Sequence, residues 1–160
     1  MNTRHPVIRV FDCHVARPAG PNGYEYLLLR RAASKIYSGT WRMVGGKLKA
    51  EETAWQGCLR ELAEETQLPI RRLLTVPYIN RFYEWKHDRI NDIPVFVAVT
   101  DASQEPILDE EHSEARWTSL DDALARLPWP AQQEGLRVAD SLLCGRIDLT
   151  EFMEIDLGSI

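Results

Sequence analysis

The sequence predicts an α/β domain, a mixed β-sheet with helices on both faces, and three observations predict it. Short runs rich in β-branched and aromatic residues recur along the chain, with stretches of helical period between them. Their order is irregular and lacks the βαβ rhythm of a doubly wound sheet. The 160 residues, 44% hydrophobic and 27% charged, suit one globular domain over residues 1–160, able to bury a core without disulfides.

The elements follow in chain order. Val7 to Ala16 reads as a strand, and Arg17-Pro18-Ala19-Gly20-Pro21-Asn22-Gly23 is dense in turn formers. A second strand, Tyr24 to Leu29, completes a long-looped hairpin. Arg30 to Thr40 is a polar connection, and Trp41 to Val44 a short extended piece before Gly45-Gly46. A helix spans Glu52 to Thr66, with Pro69 close behind it. Leu73 to Asn80 and Ile93 to Thr100 read as strands, joined by the aromatic and charged segment Arg81 to Asp92. A short strand at Ala115 to Trp117 precedes Ser119, an N-cap for a helix over Leu120 to Leu127. A last helix covers Ala131 to Leu143 and stops at Gly145.

Charge and cysteines narrow the function classes. A net charge of −5 with mixed signs excludes the basic stripe that a nucleic-acid polymer needs, but not a nucleotide substrate at a metal site. Cys13, Cys58 and Cys144 form no CxxC pair and read as reduced thiols, Cys58 in the core. No run approaches transmembrane length, and the N-terminus has no uninterrupted apolar stretch, so a cytoplasmic domain without a membrane partner is expected.

The chemistry concentrates on the helix. Trp55, Cys58, Leu59 and Leu62 fall at i, i+3, i+4 and i+7, one apolar stripe that faces the core. Glu61, Glu64 and Glu65 share a neighbouring face, with Cβ atoms only about 5–6 Å apart. Two of them approach the helix C-terminus, where the macrodipole disfavours negative charge. A divalent cation removes both penalties, and hard oxygen ligands suit Mg²⁺ or Mn²⁺. The competing reading is a solvated acidic face in which Arg60 pairs with Glu64 at i+4. Gly45-Gly46 upstream favours the metal, because glycines let the backbone turn sharply and bring a carbonyl close to a cation.

Gly46 to Leu68 resembles the Nudix box: a glycine, five residues, a glutamate, seven residues, then Arg-Glu-aliphatic-any-Glu-Glu-any-Gly-aliphatic. Gly46, Glu52, Arg60-Glu61-Leu62-Ala63-Glu64-Glu65 and Leu68 occupy those positions, and Gln67 stands where the family has glycine. The surroundings are similar too, with Leu27-Leu28-Leu29-Arg30-Arg31 and Gly39-Thr40-Trp41 upstream and Asp109 to Trp117 downstream.

The resemblance implies a Nudix-type α/β/α sandwich with a mixed β-sheet. It implies a pyrophosphohydrolase that cuts a diphosphate linkage of a nucleoside triphosphate or other nucleoside diphosphate derivative through metal-activated water. Mg²⁺, or Mn²⁺, would be held by Glu61, Glu64, Glu65 and the backbone at Gly46, with Glu111 as a further acid. Glu110 and Glu114 compete with Glu111 for that place, and which carboxylate is the base stays open. Arg60 orients a neighbouring carboxylate, and Glu52 suits a structural place at the helix start at least as well as a catalytic one. His112 reads as structural or substrate-lining. Arg30, Arg31, Lys35 and Arg81 are candidates for phosphate contacts. Tyr83, Tyr78, Phe82, Trp85 and Trp41 are candidates for stacking on a base. Small nucleoside triphosphates, such as dATP or dihydroneopterin triphosphate, are the substrates this likeness favours. The alternative is a Nudix-fold nucleotide-binding or regulatory module without hydrolase activity, which the intact box carboxylates disfavour. A structural acidic domain would make the whole box an accident. Oligomeric state is left open.

Overall fold

A computed structural model describes residues 7–159. Its strands are β1 (Val10–Ala19), β2 (Gly23–Arg31), β3 (Trp41–Arg42), β4 (Val44–Lys47), β5 (Arg72–Glu84), β6 (Arg89–Val99), β7 (His112–Thr118) and β8 (Glu154–Ile155). The helices are α1 (Ala54–Thr66), α2 (Leu120–Arg126), α3 (Pro130–Leu143) and the short α4 (Thr150–Met153). One sheet runs in the order β3-β2-β1-β6-β5-β8, with β4 added on β1 and β7 on β2. The central pair β1–β6 is parallel and the other pairs are antiparallel, so the sheet is mixed.

Alternation along β1 decides what each face meets. Phe11, Cys13 and Val15 pack against Cys58 and Leu62 of α1. Ala16, with Val95 and Val97 of β6, packs against Ala123 of α2 and Leu136, Ala139 and Leu142 of α3. Helices therefore cover both faces, as expected. Among the described residues, no helix is long and apolar enough to cross a membrane.

Several boundaries differ from the sequence reading. The first strand starts at Val10, leaving Val7 to Arg9 extended and exposed, and runs on to Ala19. Arg17, Pro18 and Ala19 pair with Glu25, Tyr24 and Gly23, which shrinks the long turn to residues 20–22 around Gly20 at φ +67°. Pro18 is tolerated because β1 meets β6 only as far as Ala16, so one side of the strand is free there. Arg30 and Arg31 belong to β2 rather than to the following loop. Gly45 and Gly46 form no sharp turn: they lie within β4, paired with Asp12 and Phe11, and their φ angles are not positive.

The box helix begins two residues later than expected. Thr53 caps it, its hydroxyl accepting from the Gln56 N–H at 3.3 Å while the Gln56 side chain accepts from the Thr53 N–H at 3.0 Å. Glu52 thus stands outside the helix. The segment Arg81 to Asp92 is no loose connection but the outer part of the β5–β6 hairpin. Arg81 faces Asp92 and Glu84 faces Arg89 across the strands, so charges that read as loop serve as cross-strand pairs. The strand around Ala115 extends from His112 to Thr118. The tail adds α4 and β8, which joins the sheet at Leu73 and Leu74. These two short elements carry too little pattern to be read from sequence.

Candidate active site

Helix α1 lies with its acidic face toward β4, and glycine makes that approach possible. A Cβ on Gly46 would sit 2.6 Å from the Glu61 carboxyl, closer than any real contact. A Cβ on Gly45 would crowd the Arg42 guanidinium and the Phe11 carbonyl, each at 3.0 Å. The two glycines therefore admit a carboxylate and a guanidinium close to the β4 backbone. Absence of a side chain, rather than a special φ, is what the site uses here.

Arg60 organises the front of the site. Its guanidinium grips Glu52 through two bonds of 2.7 and 2.9 Å, and reaches Glu61 at 2.7 Å and Glu64 at 3.4 Å. It also donates to the Lys47 carbonyl at 3.1 Å, tying helix to strand. This fork, together with the Lys49 N–H, holds the Glu52 carboxyl down at about 2. Glu61 is mostly buried, whereas Glu64 is half exposed.

Glu65 is different. It is 3% exposed, and its Oε2 has no hydrogen-bond partner. Burial pushes its pKa up to about 9; Arg42 opposes that rise, while Glu61, Asp109 and Glu111 add to it. Four carboxylates from two segments thus meet here, with Arg42 beside Glu65, Arg60 on Glu61 and Arg31 on Glu111.

The second segment comes from the turn before β7. The Asp109 carboxylate accepts from the Glu111 N–H at 3.2 Å and lies 3.1 Å from His112 Nδ1, which fixes the turn. Glu111 faces Arg31 at 3.5 Å and Lys35 at 3.8 Å. Its neighbours point elsewhere: Glu114 pairs with Arg30 and Arg116, and Glu110 is exposed. His112 is buried, its pKa lowered mainly by that burial.

The structure therefore brings Glu61, Glu65, Glu111, Arg31 and Lys35 into one neighbourhood, with Glu64 and Arg60 at its edge. Arg30, next to Arg31 on β2, is taken up by Glu114 and the Gly39 carbonyl, outside that neighbourhood. Arg81 and Tyr83 sit on the β5–β6 hairpin, bound to Asp92 and Asp88, and make no contact with the box. Trp41 carries Arg116 and Arg126 against its ring, at 5.2 and 5.6 Å. Sequence reasoning missed Asp109 and Arg42. The acidic run at Asp109 was visible, but Arg42 became legible only once β3 was seated beside β2.

The residues fit a divalent cation on two grounds, the unpartnered oxygen of Glu65 and the charge of the further carboxylates Glu61, Asp109 and Glu111 that it feels. Among the described residues no three His, Cys, Asp or Glu side chains are already gathered at ligating distance. Arg60 explains part of that, because it holds Glu61 and Glu64 to itself.

Comparison with known proteins agrees with this geometry. The NUDIX domain profile matches residues 8–139, and the chain belongs to the Nudix hydrolase family. It is 31% identical over 143 residues to an isopentenyl-diphosphate Δ-isomerase of Kocuria rhizophila, covering 80% of this chain and 76% of that protein. It is 29% identical over 136 residues to an octanoyltransferase of Myxococcus xanthus, covering 84% of this chain but only 37% of that longer protein. Among solved structures, a C. elegans Ap4A hydrolase in a binary complex superposes with TM-score 0.71 at 21% identity, over 87% of this chain and 99% of that one. At that identity the likeness speaks for the fold.

Proposed function

We propose that this protein is a metal-dependent pyrophosphohydrolase cutting a diphosphate linkage of a nucleoside triphosphate or other nucleoside diphosphate derivative. The observation that carries this reading is the buried Glu65, with an oxygen left unpartnered among Glu61, Asp109 and Glu111. A fold has no structural use for such a group, whereas a cation site does.

In this reading Glu61, Glu64, Glu65 and Glu111, with the backbone at Gly46, hold Mg²⁺ or Mn²⁺. Bound there, the metal supplies charge neutralisation at phosphate oxygens and a water acidic enough to attack phosphorus. Arg60 is a positioning residue: releasing Glu61 and Glu64 leaves it bidentate on Glu52. Arg31 and Lys35 meet the substrate's phosphates, opposed until then by Glu111, and Arg30 adds charge at the rim. Arg81 and Tyr83 lie on the hairpin and serve only a substrate long enough to reach it. Glu111, held by the Asp109 turn, is the carboxylate that would take the proton from water as general base. The chain acts as one domain, and three free cysteines accord with a cytoplasmic place.

A nucleotide panel with Mg²⁺ tests this, with monophosphate, diphosphate and pyrophosphate release measured separately. The panel contains dATP, dihydroneopterin triphosphate and Ap4A. Mg²⁺-dependent cleavage of at least one is expected, and its absence throughout would refute the hydrolase. Isopentenyl diphosphate belongs in the panel because of the 31% relative. Isomerisation without phosphate release would favour a second reading, an isomerase on the same fold.

A further inference from the structure

A groove of about 570 Å³ opens beside the box loop. Its walls are the incoming segment Ile8 to Val10, the loop Lys47 to Glu52, and Arg89 of β6. Thr53, which closes the loop, and Glu65 are about 18 Å apart along α1, taking 1.5 Å of rise per residue. The groove adjoins the candidate active site through Glu52 and the Lys47 carbonyl, both bound by Arg60, but none of Glu61, Glu64, Glu65 and Glu111 lines it.

Its charge runs against that of the whole chain. Arg9, Lys47, Lys49 and Arg89 line it, although the protein carries a net charge of −5. Arg89 is already paired with Glu84, and Glu52 with Arg60. Among the described residues, Arg9, Lys47 and Lys49 are in no ion pair, and residues 1–6 contain no carboxylate that would answer them. Against these three cations the lining sets Glu51 and Glu52, and Glu52, though it also attracts Lys49, is gripped by Arg60. Leu48, between the lysines, packs on α1 at Gly57, which leaves Lys47 and Lys49 to the groove.

The walls are held before any ligand arrives. The Leu48 N–H donates to the Arg9 carbonyl at 2.9 Å, fastening the loop to the incoming segment. The Lys49 N–H donates to Glu52 at 2.9 Å, and Glu52 to Arg60 in turn, so the loop is braced from behind. Cations carried on a braced backbone around a concavity favour a compact, multiply charged anion over an extended polymer, which needs a longer stripe. Half-exposed Ile8 and the Val10 and Ala50 positions add an apolar margin.

We infer that this groove is a second anion site, which takes a phosphate chain of two or more phosphates, free or carried by a nucleotide, through Arg9, Lys47 and Lys49. It does not depend on the hydrolase reading. Because the ligand lies on the loop that Arg60 ties to the box, it is suited to act on the enzyme as an effector.

Calorimetric titration of the full chain in EDTA tests it, with tripolyphosphate and ATP as probes, so that a metal centre plays no part. Both probes should bind, more weakly at high salt. Arg9→Ala/Lys49→Ala should weaken binding about tenfold or more while keeping the wild-type melting temperature. Arg31→Ala/Lys35→Ala should bind as the wild type does, which separates this site from the candidate active site. Tighter binding of ATP than of tripolyphosphate would assign the apolar margin to a base; equal affinity would assign the site to the phosphate chain alone. Wild-type affinity in the Arg9→Ala/Lys49→Ala variant, loss of binding in Arg31→Ala/Lys35→Ala, or no binding of either probe would overturn the proposal.

Discussion

Each side of the sheet buries an ionisable side chain with an atom that lacks a hydrogen-bond partner. On the α1 side it is Glu65 Oε2, and under α3 it is His14 Nε2. Burial drives both toward the neutral form, Glu65 up to about 9 and His14 down to about 3. Their surroundings differ. Glu65 feels Arg42, Glu61, Asp109 and Glu111, whereas His14 looks toward Gly135, near Val95 and Tyr78. The same local symptom thus has two meanings. An isolated buried imidazole is a neutral polar group that the fold tolerates. A buried carboxyl among carboxylates from separate segments is relieved either by a proton, toward which its raised pKa tends, or by a cation.

Replacing each group should expose the contrast, and the largest effect belongs to Glu65. Glu65→Gln keeps the shape and removes the charge. Turnover of whichever nucleotide the panel identifies should drop by on the order of 10³-fold. Denaturant stability in chelator should hold or rise, because a buried group that resists ionisation has been replaced by a neutral amide. His14→Leu should leave turnover within a few-fold. Comparable damage to turnover in both variants would dissolve the distinction.

Glu111 comes next. Glu111→Gln should lower kcat by about 10²-fold at saturating Mg²⁺ if it takes the proton from water. Glu114→Gln should be mild, because Glu114 already answers Arg30 and Arg116, and Glu110→Gln milder still. A crippled Glu114→Gln enzyme beside a normal Glu111→Gln one would transfer the role.

The two halves of this site were unequally legible, and the reason is geometric. Glu61, Glu64 and Glu65 share a face because the helix repeats every 3.6 residues, a rule that sequence spacing exposes directly. The cap was not read: Thr53 and Gln56 have the Thr-x-x-Gln spacing, yet the helix was expected to start at Glu52. Glu111 reaches the same place through the pairing of β7 with β2, whose register shifts at Arg30–Arg31. No spacing along the chain contains that shift, so only the resemblance pointed to Glu111. Arg42 and Asp109 depend on the same tertiary seating. Gly45-Gly46 shows the reverse error: the residues were rightly singled out for close approach, but the conformation is a strand and not a turn. The Arg81 to Asp92 hairpin was missed because exposed aromatics and alternating charges read as loop until their partners are opposite them.

His14 sharpens the comparison through pH. Its folded pKa lies well below the ordinary histidine value, so below about pH 6.5 the unfolded chain takes up a proton that the folded chain refuses. Stability is therefore intact at higher pH and is lost as pH falls from about 6.5 toward 3. Between pH 7 and pH 5 the loss from this group should be about 2 kcal/mol. Urea unfolding of wild type and His14→Leu at both pH values isolates it. The variant should show a shallower fall, and parallel falls would mean that the imidazole has a partner or opens to water.

The smallest effect is at Gln67, where α1 ends. The residue is left-handed, at φ 54° and ψ 20°, and its N–H closes the helix on the Ala63 carbonyl at 3.1 Å. Glycine suits this C-terminal turn because it meets no Cβ penalty, and the family pattern has glycine at this position. Gln67 thus keeps the conformation and bears its strain. Two opposing terms set the outcome of Gln67→Gly. Relief of the left-handed strain, about 1–2 kcal/mol, stabilises the fold, while the greater freedom of glycine in the unfolded chain takes back about 0.5–1 kcal/mol. The net gain should be about 1 kcal/mol or less, a rise of a few degrees in Tm for a chain of this size. Turnover should remain within a few-fold, because the substitution lies beyond Glu65 and alters no carboxylate. Thermal unfolding and initial rates on one preparation decide it. A loss of stability would mean that the Gln67 side chain makes a contact worth more than the strain. A collapse of turnover with stability intact would put Gln67 in contact with the substrate, and the end of α1 would then belong to the active site.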